Sequence, residues 1–127
     1  MKVLTIKEPW ATLIIEKYKE YEFRSWKTNY RGKILIHAGL SLEKDIVSRF
    51  EEYNLEYKCG YIIGEAELVA CIKVDEKLNK YLKELNPLVY GRSNHVENYA
   101  WKLANIKKYD NPIYIKGKLG LWNYEQK

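Results

Sequence analysis

One run of residues constrains this chain more than any other. In "YIIGEAELVACIKV", Tyr61 to Val74, the residues Ile62, Gly64, Ala66, Leu68, Ala70, Ile72 and Val74 take every second position without a break. Successive side chains of a strand leave opposite faces, so this alternation predicts a long strand with one face on a core. Gly64 and the small Ala66 and Ala70 suggest a bend or close packing, as in a barrel wall. A chain of 127 residues, 46 % hydrophobic, can bury one such core, and its length suits a single domain over residues 1–127.

The rest of the pattern places helices between strands. "VLTI" (Val3 to Ile6) predicts a short strand, and "EPWATLIIEK" (Glu8 to Lys17) a helix with Pro9 at its first position, where a missing N–H costs nothing. "YEFRSW" (Tyr21 to Trp26) alternates, as does "YRGKILIHAG" (Tyr30 to Gly39) after its turn, with Ile34, Ile36 and Ala38 on one face. "SLEKDIVSRFEEYNLEY" (Ser41 to Tyr57) predicts a helix capped by Ser41, with Leu42, Ile46, Phe50 and Tyr53 as its stripe. "DEKLNKYLKELNP" (Asp75 to Pro87) predicts a helix with Leu78, Tyr81, Leu82 and Leu85 on one face. Leu88 to Glu97 reads as a loop, Asn98 to Tyr109 and Asn111 to Gly117 as strands, and "KLGLWNYEQK" as a turn-rich tail. The fold class that follows is α+β, built on a small, curved, mixed sheet or barrel with flanking helices.

Charge and special residues narrow the function. Lys and Arg total 22 against 17 Asp and Glu, a net +5 that permits an anionic partner without demanding one. Cys59 and Cys71 form no CxxC pair, and His37 and His95 stand far apart, so neither a metal nor another cofactor is expected. The short apolar start gives way to Lys7 and Glu8, and no apolar run approaches the roughly 20 residues that span a bilayer. These features predict a soluble, cytoplasmic protein with no membrane partner.

The chemistry concentrates in "KYKEYEFRSW", Lys17 to Trp26. On a strand, Glu22 and Arg24 leave the same face, with Lys19 in the turn before them. A carboxylate and a guanidinium that both point inward must satisfy each other or bind something. The plainer alternative is an internal salt bridge. The functional one is a polar wall of one acceptor and two cationic donors, able to read a base edge or hold a phosphate, with Trp26 on that face able to stack. Lys27, Arg31 and Lys33 follow as a local basic patch. No serine lies in a Gly-x-Ser-x-Gly setting, and "GKLG" (Gly117 to Gly120) is too short to cradle a phosphate. Glu65 and Glu67 share a strand face, where solvent exposure explains them.

The stretch "IKEPWATLIIEKYKEYEFRSWKTNYRGKILIHA" resembles the ASCH domain family. Its motif, G-x-K-x-x-E-x-R, reads here Lys17 to Arg24, with Lys19, Glu22 and Arg24 matching and Lys17 replacing the glycine. That departure means either that the turn avoids positive φ or that it tolerates it at a cost. The flanks match as well: I-K-x-P-W-A before the motif, S-W-K-T-x-Y-R-G-x-x-x-I-H after it, and "YAWKLANIKKYDNPIYIKGKLGLWNYE" at the far end, which is also faintly similar to the EVE and YTH relatives that hold modified bases in aromatic cages.

The resemblance implies a PUA-like β-barrel with a cleft lined by Lys19, Glu22 and Arg24. Trp26, Trp101 and Trp122 become candidate stacking residues, with Lys116 near the last and Trp10 more readily a core residue. It implies a binding module for RNA, another nucleic acid, or a nucleotide-like or modified-nucleoside small molecule. The alternative it implies is a small hydrolase, of N4-acylated cytidines or of RNA. Family members of that first kind use the motif lysine, a threonine nucleophile three residues later and a downstream glutamate. Lys19 matches, but Glu22 stands where the threonine would be, and Glu76 and Glu84 lie in the predicted helix where a downstream acid would fall, with neither assigned to the role. If the chain is an enzyme, Lys19 and Glu22 are its candidate catalytic residues.

Overall fold

The computed structural model of the chain describes residues 1–125. Six strands, β1 (Lys2–Glu8), β2 (Tyr21–Arg24), β3 (Gly32–Leu42), β4 (Tyr61–Lys73), β5 (Tyr99–Tyr114) and β6 (Leu121–Asn123), form one sheet in the order β2–β5–β4–β3–β1–β6. β1 and β3 run parallel, and every other pairing is antiparallel. The helices are α1 (Trp10–Ile15), α2 (Lys44–Val47), α3 (Glu76–Leu85) and α4 (Pro87–Tyr90), with a 3-10 segment, Ser48–Tyr53, directly after α2.

The long alternating run is β4, as its pattern predicts. Its ladder with β5 slips register at Ile62/Gly64, Glu65/Glu67 and Leu68/Ala70, and each slip adds twist and bends the sheet. Gly64 marks a close approach, because a Cβ there would lie 2.4 Å from the Lys107 carbonyl oxygen. The expected barrel is not closed by its ladder: β2 and β6 are the sheet edges, and no pairing joins them among the described residues. The sheet is rolled far enough, however, that Arg24 on β2 reaches the backbone of Thr5 on β1. Side chains bridge where strands would have paired.

Helix α1 lies against this rolled sheet, with Ala11 through Ile15 buried. Leu4, Ile6, Ile34, Ile36, Ala38, Leu68 and Trp101 pack around Ile14 in one core. A second core joins Leu13 to Tyr21, Phe50, Leu82, Val89 and Tyr90. Pro9 is the residue before the helix rather than its first. Glu8 does the capping: one carboxylate oxygen accepts from the Thr12 N–H at 2.8 Å, and the other accepts from the Thr12 hydroxyl.

Three expectations are corrected. Ser41 is not a helix cap but the end of β3, because β1 carries its ladder past a bulge to pair Glu8 with Leu42. The expected long helix therefore shrinks to α2 and the 3-10 segment. Asn98 to Tyr109 and Asn111 to Gly117 are not two strands but one, β5, whose Pro112 lies beyond the four residues covered by β2 and so removes no donor from that ladder. The expected loop after Pro87 opens with α4, capped by Asn86. In α3, Asp75 caps and Leu82 is buried, while Tyr81 and Leu85 face solvent. The tail contains β6, and its last two positions lie outside the described residues.

Candidate functional site

The site begins at the end of α1. Lys17 adopts φ 70°. Its N–H donates to the Ile14 carbonyl at 3.0 Å, and the Tyr18 N–H donates to the Leu13 carbonyl at 2.9 Å. These are the bonds of a Schellman turn, formed here with a lysine at the left-handed position. The Lys19 N–H also donates to the Leu13 carbonyl, at 3.1 Å, so the turn folds tightly back and sends the Lys19 side chain inward. The Tyr90 hydroxyl then accepts from the Glu20 and Tyr21 N–H groups at 2.9 and 3.3 Å, fixing the entry to β2.

Glu22 sits between two cations. Lys19 Nζ lies 2.6 Å from one carboxylate oxygen, and Arg24 Nη2 lies 3.0 Å from the other. Lys19 is 4 % exposed and Glu22 8 %. Burial drives the Glu22 carboxyl upward, but the charges of Lys19 and Arg24 outweigh it and hold the group below the ordinary carboxylate value. Burial draws Lys19 below its ordinary value against the pull of Glu22. Arg24 Nη2 also donates to the Thr5 carbonyl at 2.9 Å. Its Nε is buried and has no hydrogen-bond partner among the described residues.

The triad lines a cleft of about 620 Å³ between β1, β2, the end of β3, α2 and the loop before β5. Trp10, Phe23 and His95 form its aromatic side. Phe23 and His95 stack with ring centroids 3.7 Å apart and planes 5° off parallel. Burial first, and then the Lys19 charge, push His95 down to about 4, so its imidazole is neutral near pH 7. Lys19 Nζ lies 5.1 Å from the Trp10 ring centroid, a cation–π contact. Thr5 anchors the floor. Its hydroxyl accepts from Trp122 Nε1 at 3.0 Å and lies 3.2 Å from His37 Nδ1. His37 Nε2 lies 2.8 Å from the Ile115 carbonyl oxygen, so the proton belongs on Nε2 and Nδ1 accepts from Thr5. His37 is a satisfied core residue, and no cluster of metal-ligating side chains occurs among the described residues.

The ASCH domain profile matches residues 4–113, most of the chain. The chain belongs to the ASCH domain family. It is 25 % identical over 136 aligned positions to Activating signal cointegrator 1 of Mus musculus, covering 98 % of this chain and 22 % of that protein. The chain thus spans about a fifth of the length of the curated relative it matches. Among solved structures, the crystal structure of ASCH from Zymomonas mobilis superposes with a TM-score of 0.56 at 17 % identity, covering 90 % of this chain and 73 % of that one. The N-terminal domain of Staphylothermus marinus McrB gives 0.52 at 15 % identity, covering 89 % and 75 %. At these identities the two structures establish a shared fold.

Of the residues that the ASCH resemblance suggests for a ligand site, Lys19, Glu22 and Arg24 come together in the cleft. The three tryptophans suggested as stacking residues do not line this cleft. Trp101 is wholly buried in the core, and Trp122 is buried with its N–H committed to Thr5. Trp26 lies edge-on against Trp101, 4.8 Å between centroids, and is not among the residues lining the cleft. The reason is that β2 ends at Arg24, so strand alternation no longer governs Trp26. Lys116 is exposed and also outside the lining. Trp10, favoured for the core more readily than Trp26, packs against both cores and also lines the cleft. The basic patch is dispersed: Lys33 pairs with Glu65 at 3.3 Å, and Arg31 folds back onto the Thr28 and Tyr30 carbonyls. Sequence reasoning missed Phe23 and His95. Phe23 carried a signal in its place inside the ASCH motif, while His95 carried none.

Proposed function

We propose that this chain, as a single ASCH domain over residues 1–127, binds a nucleic-acid or nucleotide-like ligand, RNA-related, in the cleft lined by Lys19, Glu22 and Arg24. In this reading the rolled sheet is a PUA-like barrel wall left open where β2 faces β1. The observation that carries it is the buried Arg24 Nε–H without a partner, beside an aromatic wall and a charged carboxylate. A buried donor of that kind is costly to leave unmet, and a ligand carbonyl or phosphate oxygen meets it. Glu22 retains lone pairs for a base amino or imino group, since each oxygen receives one bond from the protein. Trp10 and the Phe23–His95 stack offer faces to a planar ring. The cleft volume suits a ligand of nucleotide size.

The hydrolase alternative draws less support. Both Glu22 oxygens are engaged by cations, and its carboxyl is held below the ordinary value, which disfavours it as a proton acceptor. Ser41 and Ser93 line the cleft without a base hydrogen-bonded to either hydroxyl among the described residues. The test is a thermal-shift panel of nucleosides, modified nucleosides and short RNAs against wild type and Arg24→Gln. A compound that raises the wild-type melting temperature and leaves a folded Arg24→Gln protein unmoved supports the reading. A panel that moves neither protein overturns it.

A further inference from the structure

We infer that the lysine face of α3 carries the phosphate backbone of a single-stranded RNA whose base sits in the cleft, so that the partner is a strand rather than a free nucleotide. This rests on the base-binding reading above. Lys77, Lys80 and Lys83 recur at every third residue of α3 and so share one face. That face is turned outward, because Leu78 and Leu82 pack the helix onto the second core. The three lysines line an open groove of about 780 Å³ between α3 and the loop before β5, whose other wall is Asn94 and Val96. Ser93 and His95 of the same loop line the cleft. Successive residues thus face alternately into cleft and groove, and a single backbone separates the two. The loop is fastened to the helix. The Asn79 side-chain oxygen accepts from the His95 N–H at 3.2 Å, and the Glu97 N–H donates to the Val74 carbonyl, just before α3, at 2.9 Å.

Charge decides what the groove takes. Lys33, Lys58, Lys73 and Lys108 each pair with a glutamate, whereas Lys77, Lys80 and Lys83 stand in no ion pair among the described residues. Glu76 and Glu84 also line the groove, in the first and last turns of α3, and leave the lysines in excess. From Lys77 to Lys83 the helix rises about 9 Å, so the charge forms a line rather than a point. A line fits successive phosphates, and an ammonium on a flexible stem meets each of them without demanding one geometry. No aromatic side chain lines the groove among the described residues, so it offers a base nothing to stack on. The neighbouring cleft does, with Trp10, Phe23 and His95. A cationic groove that follows phosphates beside aromatic rings that hold a base is the arrangement single strands require. A duplex keeps its bases stacked inside, whereas an unpaired strand can turn one over the loop into the cleft.

The experiment is calorimetric titration of wild type, Lys80→Gln, the triple variant Lys77→Gln/Lys80→Gln/Lys83→Gln, a control of equal charge change, Lys33→Gln/Lys58→Gln/Lys107→Gln, and Arg24→Gln. The control lysines line neither the cleft nor the groove. Glutamine matches the helix propensity of lysine, so the α3 variants are expected to fold. The titrants are the ribonucleoside monophosphates, mixed-sequence single-stranded octaribonucleotides that contain every base, and one of these annealed to its complement, each over a range of salt. The expected result is a single strand binding roughly 10- to 100-fold tighter than the monophosphates. The triple variant loses that gain, and its slope of log affinity against log salt falls by roughly 2, at about 0.7 per phosphate contact. Lys80→Gln shows about a third of that change, and monophosphate affinity is the same in both as in wild type. Strand binding unchanged in the triple variant, an equal loss in the control, a duplex bound as well as the strand, or monophosphates bound as tightly overturns the path along α3. The base reading is then decided separately, by whether Arg24→Gln loses monophosphate binding. Strand binding that the triple variant loses and Arg24→Gln keeps, with no monophosphate bound, retains the phosphate path and overturns the base reading. No binding by any titrant overturns both.

Discussion

Arg24 donates to the backbone carbonyl of Thr5 across 2.9 Å. That carbonyl lies one residue past Leu4, where the β1–β6 ladder ends. The same guanidinium group holds Glu22 at 3.0 Å. One side chain thus stitches β2 to β1 and forms half of the charge balance in the cleft. Fold and site are coupled through it.

Removing the centre of the triad is therefore expected to cost more than removing one side. Glu22→Gln leaves Lys19 and Arg24 facing each other with no anion, and the expected loss is about 3–5 kcal/mol. Arg24→Gln leaves the buried Lys19–Glu22 pair intact and forfeits the Thr5 bond, for an expected loss of about 1–3 kcal/mol. Urea unfolding of both variants checks the order. The reverse order would mean that the stitch to β1 matters more than the charge balance.

Acid is expected to weaken the fold in two stages. His95 is pushed from 6.5 down to about 4 by burial and then by Lys19. The folded state binds that proton more weakly than the unfolded chain, so the His95 contribution is complete above pH 6.5 and is lost as pH falls toward 4. Glu22 is held below the ordinary 4.5, with Lys19 and Arg24 overriding the upward push of burial. Its contribution is present above pH 4.5 and is lost as pH falls through the lower folded value. His95→Phe keeps a ring on Phe23 and removes the first stage alone. The check is unfolding free energy measured from pH 7 to pH 3 for both proteins. An unchanged slope between pH 6.5 and 4 in the variant would assign that stage to another group.

The tryptophans separate what sequence reveals from what it does not. Lys19, Glu22 and Arg24 were legible because their spacing is local, set by one turn and one short strand. The long alternating run likewise announced β4. Which tryptophan faces the cleft depends on where β2 stops and how far the sheet rolls, and both follow from contacts distant in sequence. Ser41 misled for the same reason, because a β1 partner drew it into a strand. Trp10→Ala is expected to abolish ligand-induced quenching of tryptophan fluorescence while the protein stays folded. Trp101→Ala is expected to cost about 3–5 kcal/mol as a core cavity. Trp26→Ala is expected to leave binding within about twofold, because it changes no group lining the cleft. Binding lost in Trp26→Ala but kept in Trp10→Ala would place the stacking wall on the other side of Arg24.

The position at which this chain departs from its family motif offers a gain rather than a loss. Lys17 holds φ 70° so that its N–H and that of Tyr18 can close the turn after α1. A side chain in that region costs about 1–2 kcal/mol through its Cβ. Glycine removes that strain but frees the unfolded chain by about 0.5–1 kcal/mol. Lys17→Gly is therefore expected to stabilise the protein by about 0.5–1 kcal/mol, a rise of roughly 2–5 °C in melting temperature. Lys17→Val should move the other way, since branching at Cβ worsens the same contact. Ligand affinity should not change in Lys17→Gly, because Lys17 is exposed and outside the cleft lining while the turn that aims Lys19 is preserved. Calorimetric melting of the three proteins checks the order Gly above Lys above Val. A Lys17→Gly protein that melts lower than wild type would show that the lysine side chain makes a favourable contact outweighing its backbone strain.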